Sequence, residues 1–368
     1  MVEPPDARFM TRALALAEHG RGRTAPNPIV GAVLVAPDGT VVGQGAHLEA
    51  GGPHAEIHAL DEAGPNARGA TLYVTLEPCC HTGRTGPCVD RIVAAGVSRV
   101  VFATRDPNPQ VSGQGAAFLR AKGVAVLEGV GEADARRQNA PFFTWVTEHR
   151  SFVILKMAVS ADGFVGRPSG RVRLTGPAAD AWLHRQRAEV DALIVGADTV
   201  LVDDPQLTAR VAFRYRPLTR VVVDWRARVP ETAAVYETGS AGPVIMVTSA
   251  EEASRHADRL EALGRRGVEV ERIADRDVGG LVRRLAERGL VTALLEGGPR
   301  LAAAFAAADL IDRVQWVVTR AALTEGVPAL TGALSELVLD RPPRVVTLDD
   351  DVLMEFDVHR INRSDRPA

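Results

Sequence analysis

Apolar side chains at Phe9, Met10, Ala13, Leu14, Leu16 and Ala17 recur at three-to-four spacing, which predicts an amphipathic helix over Ala7 to His19, stopped by Gly20. From Ile29 to Ala36 the apolar run is continuous, as in a buried strand. Asp38-Gly39 is a turn signal, and Val41 to Ala46 returns as a hairpin partner. Helices are then expected over Ala55 to Glu62, Val89 to Ala95 (closed by Gly96) and Ala116 to Lys122, with strands over Ala70 to Leu76, Val100 to Ala103 and Val124 to Leu127. Strands alternating with helices predict an open α/β sheet covered on both faces, with chemistry at the strand ends, where Glu77 to Cys79 fall.

Around Trp145 to Ser151 the alternation restarts. Phe152 to Ser160 reads as a strong strand with Ala161-Asp162-Gly163 as its turn. Further strands are expected at Ala192 to Val195, Arg220 to Val223, Val244 to Val247, Val268 to Ile273 and Thr292 to Leu295, with helical segments between most of them. The alanine-rich stretch Ala302 to Ala308 consists of good helix formers. The pattern therefore predicts two α/β domains, residues 1–150 and 151–368, the second not a repeat of the first.

Length agrees, because 368 residues exceed the roughly 100 to 200 of an ordinary domain. With 46% hydrophobic and 24% charged residues the composition is that of a soluble globular protein, and disorder is expected only at the ends, such as Arg363 to Ala368. A net charge of −3 carries no broad basic field, which counts against a nucleic-acid partner and favours a small-molecule substrate. No stretch approaches the roughly 18 to 20 uninterrupted apolar residues of a membrane span, and no basic segment near Met1 leads into an apolar one. A cytoplasmic protein with no membrane partner is expected, as a homo-oligomer.

The three cysteines all fall between Cys79 and Cys88, a clustering that points to a metal in a reducing compartment rather than to a disulfide framework. His54 follows Pro53 at a helix entry, with Glu56 two positions on; only in a first turn can both side chains lean toward one site. Cys79 follows Pro78 at a strand end. Zinc with three protein ligands and one open position lowers the pKa of bound water to about 7, and a carboxyl beside it can shuttle the proton to an amine leaving group. His54, Cys79 and Glu56 thus suggest a hydrolytic deaminase. The short Pro-Cys-x-x-Cys spacing of zinc deaminases is not met, because position 82 is threonine, so the third ligand is open among Cys80, His81 and Cys88. Adjacent residues point apart, which disfavours Cys80. Cys88 follows Pro87 at a helix start, where partial positive charge favours a thiolate.

His54-Ala-Glu-Ile-His-Ala-Leu together with Val74-Thr-Leu-Glu-Pro-Cys-Cys-His-Thr-Gly-Arg-Thr-Gly-Pro-Cys88 closely resembles the bifunctional deaminase/reductase family of riboflavin biosynthesis, part of the cytidine-deaminase-like superfamily. The resemblance extends to Pro26-Asn27-Pro28-Ile29-Val30-Gly31 and Asp106-Pro107-Asn108-Pro109-Gln110-Val111, and covers nearly the whole chain. It implies Cys88 as the third zinc ligand, Glu56 as the catalytic proton shuttle, Asn27 as a pyrimidine contact, and zinc-dependent loss of an amino group as ammonia from a diaminopyrimidinone carrying a ribosylamino phosphate. Two departures are Cys80, where serine is usual, and Gly86, where proline is usual; neither removes a ligand.

Leu155-Lys156-Met157-Ala158-Val159-Ser160-Ala161-Asp162-Gly163, Gly196-Ala197-Asp198-Thr199-Val200 and Asp203-Asp204-Pro205-Gln206-Leu207-Thr208 resemble the reductase half of the same family, which implies a dihydrofolate-reductase-like domain that uses NADPH to reduce the opened ribose to a ribityl chain. By that resemblance Ala158, Thr199, Asp203, Gly298, Pro299, Arg300, Leu301 and Ala302 are cofactor positions, and Arg187, Leu207, Arg210 and Glu296 are substrate positions. Bottom-up, Glu296-Gly297-Gly298 between a strand and a helix start exposes amides that can hold phosphate, and guanidinium groups suit a phosphorylated substrate. Lys156 and Asp203 are the ionisable residues best placed to support hydride chemistry, which itself belongs to NADPH. Val172-Arg173-Leu174-Thr175-Gly176 lacks the family's usual tryptophan before Ile-Thr. Two other readings compete: a deaminase of nucleic-acid bases, which would need a basic groove, and a monofunctional deaminase whose second domain serves binding or assembly.

Overall fold

The computed structural model describes residues 5–80, 86–109, 111–167, 172–237, 241–337 and 342–358. His81, Gln110 and the tail Arg363 to Ala368 lie outside them. The chain divides into two compact units, Met1–His149 and Arg150–Ala368.

The first unit is built on five strands: β1 (Gly31–Val35), β2 (Val41–Ala46), β3 (Thr71–Leu76), β4 (Arg99–Thr104) and β5 (Ala125–Glu128). Their order in the sheet is β2-β1-β3-β4-β5, with β1 antiparallel to both neighbours and β3, β4 and β5 parallel. Alternate side chains go to opposite faces. Ala32, Leu34, Leu72, Val74, Val100 and Phe102 join the core beneath the helices Ala55–Ala63, Cys88–Ala94 and Gln114–Ala121. Val33, Val35, Tyr73, Val101 and Ala103 pack with Met10, Ala13 and Ala135 on the other face. Because both faces are covered, the continuous apolar runs of β1 and β4 need no polar alternation.

Close approach of one helix to β2 positions Glu56 and His54. A Cβ at Gly43 would lie 2.1 Å from the Ala59 carbonyl oxygen, and one at Gly45 would lie 2.5 Å from the His58 Cβ. Glycine at these two positions lets the helix Ala55–Ala63, which carries Glu56 and is capped by His54, lie directly on the strand.

The second unit contains β6 (Phe152–Val159), β7 (Phe164–Gly166), β8 (Ala192–Gly196), β9 (Thr219–Val223), β10 (Val244–Thr248), β11 (Val268–Arg272), β12 (Thr292–Glu296), β13 (Arg313–Val318), β14 (Val327–Pro328), β15 (Arg344–Leu348) and β16 (Asp351–Asp357). Nine of them form one sheet in the order β11-β10-β9-β8-β12-β6-β13-β16-β15, parallel from β11 to β13 and antiparallel from β13 onward. β7 and β14 pair separately. The strands β13, β15 and β16 were absent from the pattern-based expectation. In β15 the residues Arg344 to Thr347 are all exposed, so no apolar alternation marks it.

Candidate functional site

His54 is the residue before the helix Ala55–Ala63, with extended backbone (φ −74°, ψ 162°), and Glu56 lies in the first turn, as the proline-led helix entry requires. Cys79 leaves the end of β3, and Cys88 opens the helix Cys88–Ala94 after Pro87. The three side chains converge: His54 Nδ1 lies 3.2 Å from Cys88 Sγ and 3.5 Å from Cys79 Sγ. All three donor atoms lie within 4.8 Å of one another, and among the described residues the group comprises these three. Cys80 is half-buried and outside the group.

Two sulfurs and an imidazole nitrogen are the soft and borderline donors that suit zinc, and three of them leave a fourth position open, as catalytic zinc sites do. The donor set therefore fits the metal. The backbone N–H of Cys88 donates to Cys79 Sγ at 3.3 Å, so the positive end of the helix is directed at Cys79 and not at the thiol of Cys88 itself. Hydrogen bonding from Cys88 and the nearby His54 bring the pKa of Cys79 down to about 4 against the effect of burial. The Cys88 thiol is pushed up by its hydrogen bond to Cys79 and by burial. The Cys79 sulfur also raises the pKa of His54. Glu56 is 4% exposed, and burial raises its carboxyl pKa although His54 opposes the shift.

A cavity of about 450 Å³ opens over this group, with Asn27, His47, His54, Glu56, Cys79 and Trp145 in its walls. Asn27 thus lines the cavity. His47, Glu77, Phe142 and Trp145 also line the cavity, and the site residues read from the sequence did not include them. A lone histidine between a strand and a loop carries no spacing signal. Glu77, 3% exposed, accepts hydrogen bonds from the amides of Gly113 (2.9 Å) and Ala116 (3.1 Å), tying the Cys79 turn to the start of the helix Gln114–Ala121.

In the second unit a cavity of about 830 Å³ lies at the carboxyl ends of β6, β8 and β12, the side of an open parallel sheet where ligands bind. Ala158, Thr199, Asp203, Arg187, Leu207, Arg210, Glu296 and Gly298 all line it, as does Lys156. Burial lowers the pKa of Lys156. Pro299, Leu301 and Ala302 are buried in the following helix, and Arg300 projects outward with its side chain 92% exposed. Of the glycine-turn stretch Gly298 to Ala302, only Gly298 lines the cavity. A Cβ there would meet nothing within 4 Å, so this wall leaves room for a ligand to approach the backbone.

Arg187 and Glu296, both expected from the resemblance to meet substrate, bond to each other, through Nε to Oε1 and Nη2 to Oε2, both at 2.7 Å, with Arg187 also donating to the Thr208 carbonyl. Arg210 is exposed and reaches Thr208 and Gln206. Val172, Arg173, Leu174 and Thr175 form part of the same cavity wall, so the missing tryptophan is a difference in the lining itself.

The family described as the cytidine and deoxycytidylate deaminase zinc-binding region matches residues 4–104, and the RibD C-terminal domain matches residues 151–346. The chain is 38% identical over 360 residues to the riboflavin biosynthesis protein RibD of Aquifex aeolicus, covering 97% of this chain and 99% of that one. Among solved structures it is similar to RibD of Acinetobacter baumannii (34% identity, 97% and 99% covered, TM-score 0.83). It is also similar to the diaminohydroxyphosphoribosylaminopyrimidine deaminase/5-amino-6-(5-phosphoribosylamino)uracil reductase of Thermotoga maritima (36% identity, 96% and 99% covered, TM-score 0.81). With a zinc-binding deaminase domain followed by an NADPH-dependent, dihydrofolate-reductase-like domain, the chain belongs to the RibD family, the bifunctional deaminase/reductases of riboflavin biosynthesis.

Proposed function

We propose that residues 1–150 deaminate a diaminopyrimidinone bearing a ribosylamino phosphate, and that residues 151–368 then reduce its ribosyl group to a ribityl chain with NADPH. The observation that carries the first half is the convergence of His54, Cys79 and Cys88 within 4.8 Å beside the buried Glu56 in one cavity. In this reading those three residues hold zinc. When bound, the metal supplies Lewis-acid activation of the attacking water.

Glu56 moves the protons. Its carboxylate takes one from the attacking water and returns it to the departing amine, which leaves as ammonia. Burial, by raising its pKa toward the working range, makes both transfers favourable. Asn27 reads the ring, and the side chains of Phe142 and Trp145 in the same cavity wall restrict water.

In the second cavity, Ala158, Thr199, Asp203 and the turn at Gly298 are the cofactor wall, with Pro299, Arg300, Leu301 and Ala302 continuing the helix behind it. NADPH supplies the hydride. Arg187, Leu207, Arg210 and Glu296 face the substrate. Arg210, exposed at the rim, is placed to meet a phosphate, and the Arg187–Glu296 pair is a fixed polar wall.

Incubating the purified, zinc-loaded chain with the diaminopyrimidinone, with and without NADPH, tests both halves. Ammonia release in both arms and NADPH oxidation only after deamination are expected; ammonia without NADPH oxidation would leave a monofunctional deaminase.

Three free thiols support a reducing, cytoplasmic location. Val345 and Val346, exposed on the edge strand β15, support a homo-oligomer, which light scattering would measure. Among the described residues no helix is long and apolar enough to cross a membrane.

A further inference from the structure

The backbone of Asn27 is held on both sides. Its N–H donates to the Thr24 carbonyl (2.8 Å), and its carbonyl accepts from the Thr24 hydroxyl (3.1 Å). Pro26 and Pro28 flank it, so side-chain rotation is the freedom that is left. His47 engages that side chain: its Nε2 lies 3.1 Å from Asn27 Nδ2, and its Nδ1 lies 3.0 Å from the Pro53 carbonyl oxygen. His47 is itself fixed, 2% exposed and with its backbone N–H donating to the Val30 carbonyl at 2.9 Å.

These bonds have one consistent direction. A carbonyl oxygen only accepts, so Nδ1 of His47 carries a proton toward Pro53. In a neutral imidazole Nε2 is then an acceptor, and the Asn27 amide must present its nitrogen to it. Among the described residues no hydrogen bond engages Asn27 Oδ1, and Asn27 lines the cavity.

We propose that His47 is a positioning residue that locks the Asn27 amide with its oxygen toward the cavity, so that the deaminase site selects a ring edge presenting an N–H donor. This rests on the reading of Asn27 as the ring contact. A diaminopyrimidinone offers such an edge through its ring N–H and amino groups. A flipped amide would set the Asn27 oxygen against the Nε2 lone pair and leave two acceptors facing each other unpaired on a desolvated surface. The histidine also anchors this lock to Pro53, the residue before His54, so ring recognition and the metal-binding turn share one support.

A double-mutant cycle in the full chain tests the lock, with Asn27→Ala, His47→Phe and the pair, following kcat and KM for ammonia release alongside bound zinc. Each single variant is expected to keep its zinc and raise KM about tenfold, the size of one misdirected hydrogen bond. The double variant should be no worse than Asn27→Ala, because the lock then has nothing to hold. His47→Gln, whose amide can accept from Asn27 and donate to Pro53, should recover most of the loss. Independent, multiplying losses in the double variant, or a wild-type KM for His47→Phe, would overturn the lock. If His47→Phe sheds zinc, His47→Gln decides: zinc retained with a KM as poor as that of Asn27→Ala is also fatal to it. An unchanged KM for Asn27→Ala would instead remove Asn27 as the ring contact, and the lock with it.

Discussion

Arg187 and Glu296, 109 positions apart in the sequence, close a two-bonded ion pair in the wall of the second cavity, with side chains only 11% and 13% exposed. Removing one partner of such a pair strands the other charge, which costs about 3 to 5 kcal/mol, whereas replacing both with apolar groups is close to neutral. Arg187→Met or Glu296→Leu alone should therefore lower the thermal unfolding midpoint clearly. The double variant should recover stability but not NADPH oxidation. A double variant that regains reductase activity would show that the pair is structural only.

The same pair predicts a pH dependence. Burial acts to raise the Glu296 pKa, but the charge and hydrogen bonds of Arg187 prevail and hold it below the ordinary value. A carboxylate with a depressed folded-state pKa contributes stability that is complete above the unfolded value of about 4.3 and is lost as pH falls through the folded value. The stability gap between wild type and Glu296→Gln, measured by denaturant unfolding, should thus be constant near neutrality and shrink only on acidification below that point.

Glu56→Gln should retain zinc and lose deamination by a factor of about 100 to 10,000, the usual contribution of a positioned proton shuttle. Ammonia release and metal content measured on the same preparation check this. Near-normal turnover would remove Glu56 from its assigned role. His54→Ala and Cys88→Ala should instead lose the metal itself, as should chelation of the wild type, with NADPH oxidation of the deaminated intermediate unaffected.

Gly43→Ala should act at a distance from the ligands. The added Cβ, 2.1 Å from the Ala59 carbonyl oxygen, must push away the helix that carries Glu56 and follows His54. Overpacking of this kind costs about 1 to 3 kcal/mol. A lowered unfolding midpoint together with weaker zinc binding, read by competition with a chromogenic chelator, is the expected result; a change in neither would mean that the helix yields without moving the site.

Gly298→Ala is the counterpart in the second unit. Its Cβ meets no protein atom within 4 Å and its φ of −65° suits any residue, so stability should change by less than about 0.5 kcal/mol. A raised KM for NADPH at unchanged unfolding midpoint would mark this turn as the place where the cofactor approaches the backbone, and an unchanged KM would exclude it.

The metal donors were legible in the sequence because zinc chemistry constrains residue type, and prolines placed His54, Cys79 and Cys88 at helix and strand ends that periodicity alone could locate. The choice of Cys88 also needed the family resemblance, since local spacing left it beside Cys80 and His81. The alternating α/β order and the continuous apolar strands were legible for the same reason: burial on two faces writes itself into consecutive residues. What only the tertiary structure decided depends on directions and partners that no local spacing encodes. The helix-start amide of Cys88 points at Cys79 and not at its own thiol. Arg187 meets Glu296 rather than standing free for phosphate. Of Gly298 to Ala302, only Gly298 lines the cavity, because a helix turns its successive residues away from a single surface. His47 became part of the site only when folding brought its ring between Asn27 and Pro53, since a hydrogen bond has a partner and a direction only in three dimensions.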